Sequence, residues 1–151
     1  MVMTMSETDI NVEDVVSVLN QILETELAGV VRYTHYSLMI FGYSRIPIVS
    51  WMRAQADESL LHANEAGELI TYLGQHPSLG IGPLLETHKH DIGDILCEAL
   101  KHEQLALSMY QQLLSLVEGK NVLLEEYARR LISQEEMHCG DVRKMLRRPG
   151  G

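Results

Sequence analysis

Glu26, Glu58 and His62 in the first half of the chain and Glu103, Glu135 and His138 in the second form a carboxylate and imidazole pattern that occurs twice. Both glutamate pairs are 32 residues apart, and each first glutamate is followed seven residues later by a tyrosine, Tyr33 or Tyr110. Carboxylates and imidazoles repeated in this way on apolar helical stretches are what two adjacent metal ions inside a four-helix bundle require. The pattern points to a di-metal carboxylate centre.

The local surroundings add to this. Glu26 falls among Ile22, Leu23 and Val30, and Glu103 falls on the stripe of Leu96, Ala99, Leu100, Leu107 and Tyr110. A carboxylate there needs a metal, an arginine or a proton, because burying it unpaired is costly. Taken singly, either glutamate reads more readily as a salt-bridge partner or a stripe-edge side chain. Two in equivalent places, each with its tyrosine, reverse that preference. Tyr33 and Tyr110 lie two turns further along the same faces, where a phenol can hydrogen-bond a ligating carboxylate across the bundle. Glu135 and His138 are i and i+3 on one face, the Glu-x-x-His spacing in which one carboxylate bridges and one imidazole caps.

The elements that must position these groups follow from apolar periodicity. Val12, Val15, Val16, Leu19, Ile22, Leu23, Leu27, Val30 and Val31 recur at helical steps, and Gly42 ends the run. The spacing predicts helices over about 9–41, 47–74, 91–118 and 121–146, the second opening on Pro47 and the second and third closing at Gly74 and Gly119. Residues 75–90 contain Pro77, Gly80, Gly82 and Pro83, so they cannot be one helix and are too long for a tight turn. Extended, they reach about 50 Å, enough to travel the length of a bundle. Helices two and three are thus expected as parallel neighbours joined by one long crossover, in an all-α single domain over 1–151.

Bulk properties narrow the classes. A chain of 151 residues with 46% hydrophobic content supports one filled core. No eighteen-residue apolar stretch exists, and residues 1–9 lack the basic and apolar regions of a secretory signal, so a soluble cytoplasmic protein with no membrane partner is expected. Cys97 and Cys139 form no Cys-x-x-Cys pair and fit a reducing compartment. The net charge of −9 disfavours nucleic acid and suits a cation, although it also serves solubility.

From about Asn20 to Leu146 the chain resembles the bacterioferritin and ferritin family. The resemblance rests on Glu-Leu-Ala-Gly-Val-Val-Arg-Tyr at 26–33, on His62-Ala63 with the Leu-Gly and Pro-Ser that close helix two, on Glu103 to Tyr110 and on Glu135 to His138. It implies a ferritin-like bundle in which Glu26 and His62 are terminal ligands of one iron, Glu103 and His138 serve the other, and Glu135 bridges. It also implies a homo-oligomer. Three features depart from the family. Ser59 stands three residues before His62 where a second bridging glutamate belongs, leaving Glu58, directly or through a π-bulge, or Glu65 to replace it. Leu60 stands where the family's haem methionine does and Met52 does not match, so haem is not expected. Only thirteen residues follow His138, too few for the short fifth helix of the cages.

The groups Glu86, His88, His90, Asp91, Asp94, Glu98 and His102 read as solvated surface rather than as an accessory metal site. The leading expectation is a ferroxidase: Fe(II) held by Glu26, Glu58, His62, Glu103, Glu135 and His138 meets dioxygen or peroxide, with Tyr33 and Tyr110 assisting. The alternative is a non-catalytic metal- or haem-binding bundle that serves as scaffold or carrier. A DNA-protecting mini-ferritin, with sites between subunits, is disfavoured by a ligand set contained in one chain.

Overall fold

The computed structural model describes residues 9–84 and 87–150. Four helices account for most of them: α1 Val12–Leu38, α2 Arg45–Tyr72, α3 Ile92–Val117 and α4 Val122–Leu146. There is no strand among the described residues, and no helix among them is long and apolar enough to cross a membrane.

Side-chain caps start three of the four. Asn11, Asp91 and Asn121 each accept a hydrogen bond from the backbone N–H three residues on, which satisfies one of the donors a helix leaves open at its start. Helix α2 begins at Arg45, two residues before Pro47. The proline therefore sits inside the first turn, where its missing N–H costs nothing. Arg45 has a second duty, since its guanidinium donates to the carbonyls of Ser37 and Ile40, at 3.1 and 2.8 Å, at the end of α1.

The crossover lies against α1 and runs in the same direction. Ser78 N–H donates to the Asn20 side chain at 2.7 Å, Gly82 N–H to the Glu24 carbonyl at 2.8 Å, and Arg32 to the Pro83 carbonyl at 3.4 Å. Gly82 permits the approach: a Cβ there would meet the Glu24 carbonyl oxygen at 3.1 Å. Because α1 and α2 form a hairpin and the crossover retraces α1, α3 starts at the end of α1 and runs antiparallel to it, hence parallel to α2. That is the single-crossover bundle.

The apolar core is in two parts. Val15, Leu19, Ile22, Ala66, Ile70, Tyr110, Leu113, Leu124 and Leu131 belong to one, and Tyr36, Ile40, Val49, Met52, Ile95, Ala99 and Val142 to the other. Between the two parts each helix carries polar residues: Glu26 on α1, Glu58, Ser59 and His62 on α2, Glu103 on α3, and Glu135 and His138 on α4. A carboxylate layer thus interrupts the core at one level of all four helices.

Candidate metal centre

Glu26, His62, Glu103 and Glu135 are all buried in that layer. The Glu26 Oε2 oxygen lies 3.3 Å from His62 Nδ1, and Glu135 Oε1 lies 3.6 Å from the same nitrogen. On the other side Glu135 Oε2 lies 3.9 Å from His138 Nδ1. Two groups of donors result, Glu26 with His62 and Glu135, and Glu103 with Glu135 and His138, each with one ligand atom per residue inside a 4.8 Å span. Glu135 belongs to both.

Electrostatics shows what such packing costs. Burial, reinforced by hydrogen bonding and repulsion from Glu103 and by Glu26, pushes the Glu135 carboxyl up to about 12, so at neutral pH it holds a proton. Burial also raises Glu26, with contact to His62 pulling it partly back. Glu103 goes the other way: burial alone would raise it, but hydrogen bonds from Glu135 and Tyr33 and the nearby His102 and His138 hold it below the ordinary carboxylate value. For His62, burial is outweighed by Glu26 and Glu58, and its pKa rises. The layer is therefore a set of carboxylates and imidazoles held together by shared protons. Glu135 Oε2 is buried and accepts from no N–H or O–H group of the surrounding side chains, so only a proton shared with Glu103 offsets its burial. An oxygen stranded between two donor groups is where a cation shared by them would be welcome.

The two tyrosines reach across the bundle. Tyr33 donates to Glu103 Oε1 at 2.6 Å, and Tyr110 donates to Glu26 Oε1 at 3.4 Å. Each tyrosine thus holds the carboxylate of the other half. Both phenols are buried and their pKa values lie well above the ordinary value, first through burial and then through the adjacent carboxylates, so they remain donors.

Glu58 and Glu65 separate clearly. Helix α2 is α-helical throughout, without a π-bulge. From four residues before His62, Glu58 reaches the layer at its rim, 3.1 Å from His138 Nε2 and 3.7 Å from His62 Nε2. Glu65 instead pairs with Arg130 at 3.3 Å, away from the layer. Ser59 is buried and turned to Gly29, where a Cβ would stand 2.8 Å from its hydroxyl and 3.0 Å from His102 Nε2. Met52 is fully buried in the core, and Leu60 is exposed on the outside of α2.

The surface reading of the loop cluster is corrected at His102. It is buried, because the missing side chain of Gly29 makes room for its ring against α1. Burial, helped by Arg32 and opposed by Glu103, lowers its pKa. Glu98 is half-buried, accepts from Thr87 at 2.8 Å and lies 4.0 Å from Arg32. Asp91 caps α3, and the His90 ring stands edge-on to Phe41 at 5.6 Å. Glu86 lies outside the described residues.

Gln134 escaped the reading of the sequence. Its Oε1 lies 3.0 Å from His62 Nε2 and accepts that N–H, which fixes the ring so that Nδ1 faces the carboxylates. A polar residue beside the Glu-x-x-His pair was the available signal, since a ligating histidine needs a partner for its other nitrogen.

Four long helices, one crossover and a buried layer of carboxylates and imidazoles define the ferritin-like class of bundle. The chain belongs to the ferritin-like family, whose profile, described as the ferritin-like domain, matches residues 16–149. Among solved structures it is similar to a ferritin-like, diiron-carboxylate protein from Bacillus anthracis str. Ames, at 18% identity and a TM-score of 0.85 over 96% of this chain and 100% of that one. A dodecameric thioferritin, the bacterioferritin-related protein of Bacteroides fragilis, superposes at 21% identity and a TM-score of 0.87 over 94% of this chain and 89% of that one. Rhodobacter capsulatus bacterioferritin, solved with a metal-free dinuclear site and haem iron, matches at 21% identity and a TM-score of 0.78 over 89% and 84%. No curated protein sequence matches significantly.

Proposed function

We propose that the chain is a ferroxidase: it takes up two Fe(II) ions as substrate in the buried layer, and their oxidation to Fe(III) by dioxygen or peroxide is the reaction it promotes. The observation that carries this reading is the sharing of Glu135 between the two donor groups. Glu26 and His62 would hold one ion, Glu103 and His138 the other, and Glu135 both. Oxygen and imidazole donors without thiolate suit iron, and the ions supply the redox chemistry.

The protein's own part is binding, proton release and exclusion of water. Before ions arrive, Glu135 keeps its proton, and His62 Nδ1 is held against Glu26. Two cations reverse the balance that makes ionised Glu135 unfavourable, so its proton leaves as they bind. Tyr33 and Tyr110 fix the outer oxygens of Glu103 and Glu26 so that the inner ones remain directed at the ions. The two apolar halves of the core close the layer from both ends of the bundle.

Storage requires a shell. Val31, Leu38, Leu60 and Leu61 leave apolar surface exposed on α1 and α2, which supports a homo-oligomer, and the similar Bacteroides fragilis protein is dodecameric. Two free cysteines fit a reducing, cytoplasmic location. The alternative of a redox-inactive carrier holding zinc is favoured by one observation, the position of Glu58 outside both donor groups. Anaerobic Fe(II) titration followed by air separates the two. Two ions per chain and rapid oxidation are expected; two ions without oxidation, or failure to take up an Fe(II) pair, would overturn the ferroxidase and leave the carrier.

A further inference from the structure

Each histidine of the layer turns one ring nitrogen inward and one outward. The inward atoms are both Nδ1, that of His62 facing Glu26 and Glu135 at 3.3 and 3.6 Å, and that of His138 facing Glu135 at 3.9 Å. The outward atoms share one neighbour. Glu58 Oε1 lies 3.7 Å from His62 Nε2 and Glu58 Oε2 lies 3.1 Å from His138 Nε2, one carboxylate oxygen for each ring. Glu58 belongs to neither donor group, and its side chain is 32% exposed while that of Glu135 is 2% exposed.

Helix geometry accounts for the position. Successive residues advance by about 1.5 Å and about 100° around the axis. Glu135 precedes its histidine by three residues and Glu58 precedes its own by four, so Glu58 is turned by about 100° relative to the place where Glu135 stands. The position that would match Glu135, three residues before His62, is Ser59, and Ser59 is packed against Gly29 beside His102. No carboxylate from α2 therefore lies among the inward nitrogens.

We infer that Glu58 is a positioning residue and not a ligand: it holds the outward Nε2–H of His138 so that this ring keeps Nδ1 toward the ions, stands beside the His62 ring that Gln134 holds, and leaves Glu135 as the one bridging carboxylate. The inference deepens the two-ion reading and rests on it. A carboxylate on the far nitrogen of a ligating imidazole fixes its tautomer and makes it a better donor, and removing such a partner costs about 10–100-fold in metal affinity without removing the ion. At His62 the Nε2–H goes to Gln134 at 3.0 Å, and Glu58, at 3.7 Å, lies beyond hydrogen-bond reach. At His138, whose side chain is 18% exposed, no other partner for Nε2 is found among the described residues, so Glu58 acts there alone.

The test uses Co(II), which reports binding through its own absorption spectrum and is not oxidised during an anaerobic titration. The wild-type protein and Glu58→Ala are both expected to take two Co(II) per chain, the variant with affinity weakened about 10–100-fold, whereas Glu135→Ala loses the pair. A single Co(II), or none, in Glu58→Ala with unchanged helix content would make Glu58 a ligand and overturn the inference. Should the wild-type protein itself fail to bind two ions, the two-ion reading falls, and imidazole N–H resonances of the metal-free protein then decide the positioning role by themselves. Glu58→Ala is expected to shift and broaden the His138 Nε2–H signal and to leave that of His62, held by Gln134, in place. An unmoved His138 signal would show that Glu58 does not hold that ring.

Discussion

The two halves of the centre share a spacing and differ in depth. Glu58 follows Glu26, and Glu135 follows Glu103, by the same 32 residues. In the second half the carboxylate is deep and the histidine shallow, with side chains 2% and 18% exposed at Glu135 and His138. In the first half the order is inverted, with His62 at 3% and Glu58 at 32%. One extra residue between glutamate and histidine is enough to move the first-half carboxylate to the rim of the layer, because it turns that side chain around the helix while the bundle keeps the histidine in place.

Both halves depend on Glu135. Glu135→Gln is expected to abolish binding of the ion pair, read as loss of Fe(II) stoichiometry, and at the same time to stabilise the empty protein. The sign follows from its pKa, about 12 folded against 4.5 ordinarily. Between those values the folded chain keeps a proton that the unfolded chain releases, so the contribution of Glu135 to stability falls as pH rises through that window. Glutamine does not ionise and escapes the loss. A gain on the order of 2 kcal/mol near pH 7, seen as a rise of several degrees in the Tm of the metal-free protein, is expected to shrink toward pH 5. A variant that loses both metal and stability would show that Glu135 is ionised and paired in the empty site.

Glu103→Ala comes next. It removes a terminal donor from the second half and leaves Glu135 in place, so one ion should still bind. The initial rate of Fe(II) oxidation is expected to fall by more than the roughly 100-fold that loss of an outer partner costs, with far-ultraviolet circular dichroism unchanged. Wild-type oxidation in this variant would detach the reaction from the layer.

The fold was readable because its signals are local. Apolar steps of three and four residues, the breaks at Gly42, Gly74 and Gly119, and a Pro- and Gly-bearing stretch too long for a turn give four helices and a crossover without any tertiary information. Glu26, Glu103, Glu135, His62 and His138 could be nominated because the same pattern stands in the chain twice. Rotation about a helix could not be read to one residue, which is why Glu58 and Glu65 both remained open as replacements for the carboxylate missing at Ser59. His102 looked like surface because its burial depends on Gly29, a residue far away in the sequence whose lack of a side chain becomes visible only when α1 and α3 are packed. Gln134 was hidden for a related reason: its partner, His62, is 72 residues away.

Restoring symmetry to the two halves gives a smaller effect with a compensating cost. Ser59→Glu places a carboxylate three residues before His62, as Glu135 stands to His138. The serine is buried against Gly29, which His102 also approaches, so the longer side chain is expected to destabilise the protein by about 1–3 kcal/mol through overpacking. Ser59→Glu combined with His102→Ala should recover part of that loss and bind Co(II) more tightly than His102→Ala alone. Equal affinity in those two proteins would mean that the new carboxylate does not reach the ions.

The smallest expected difference lies between the tyrosines. Tyr33 meets Glu103 at 2.6 Å, and Tyr110 meets Glu26 at 3.4 Å. Glu103 is the carboxylate kept below its ordinary pKa, and Glu26 is the one raised by burial. A hydrogen bond to a charged acceptor contributes about 1.5–3 kcal/mol, and one to a neutral acceptor about 0.5–1.5 kcal/mol. Tyr33→Phe should therefore lower the stability of the metal-free protein more than Tyr110→Phe, by about 1 kcal/mol in denaturant titrations. If the ions draw both carboxylates into the ionised form, that gap should narrow once Zn(II) is bound, because both phenols then donate to charged oxygens. A gap that stays the same with and without Zn(II) would place the difference in packing of the two rings, Tyr33 against Trp51 and Tyr110 against Tyr127, and not in the charge of the acceptors.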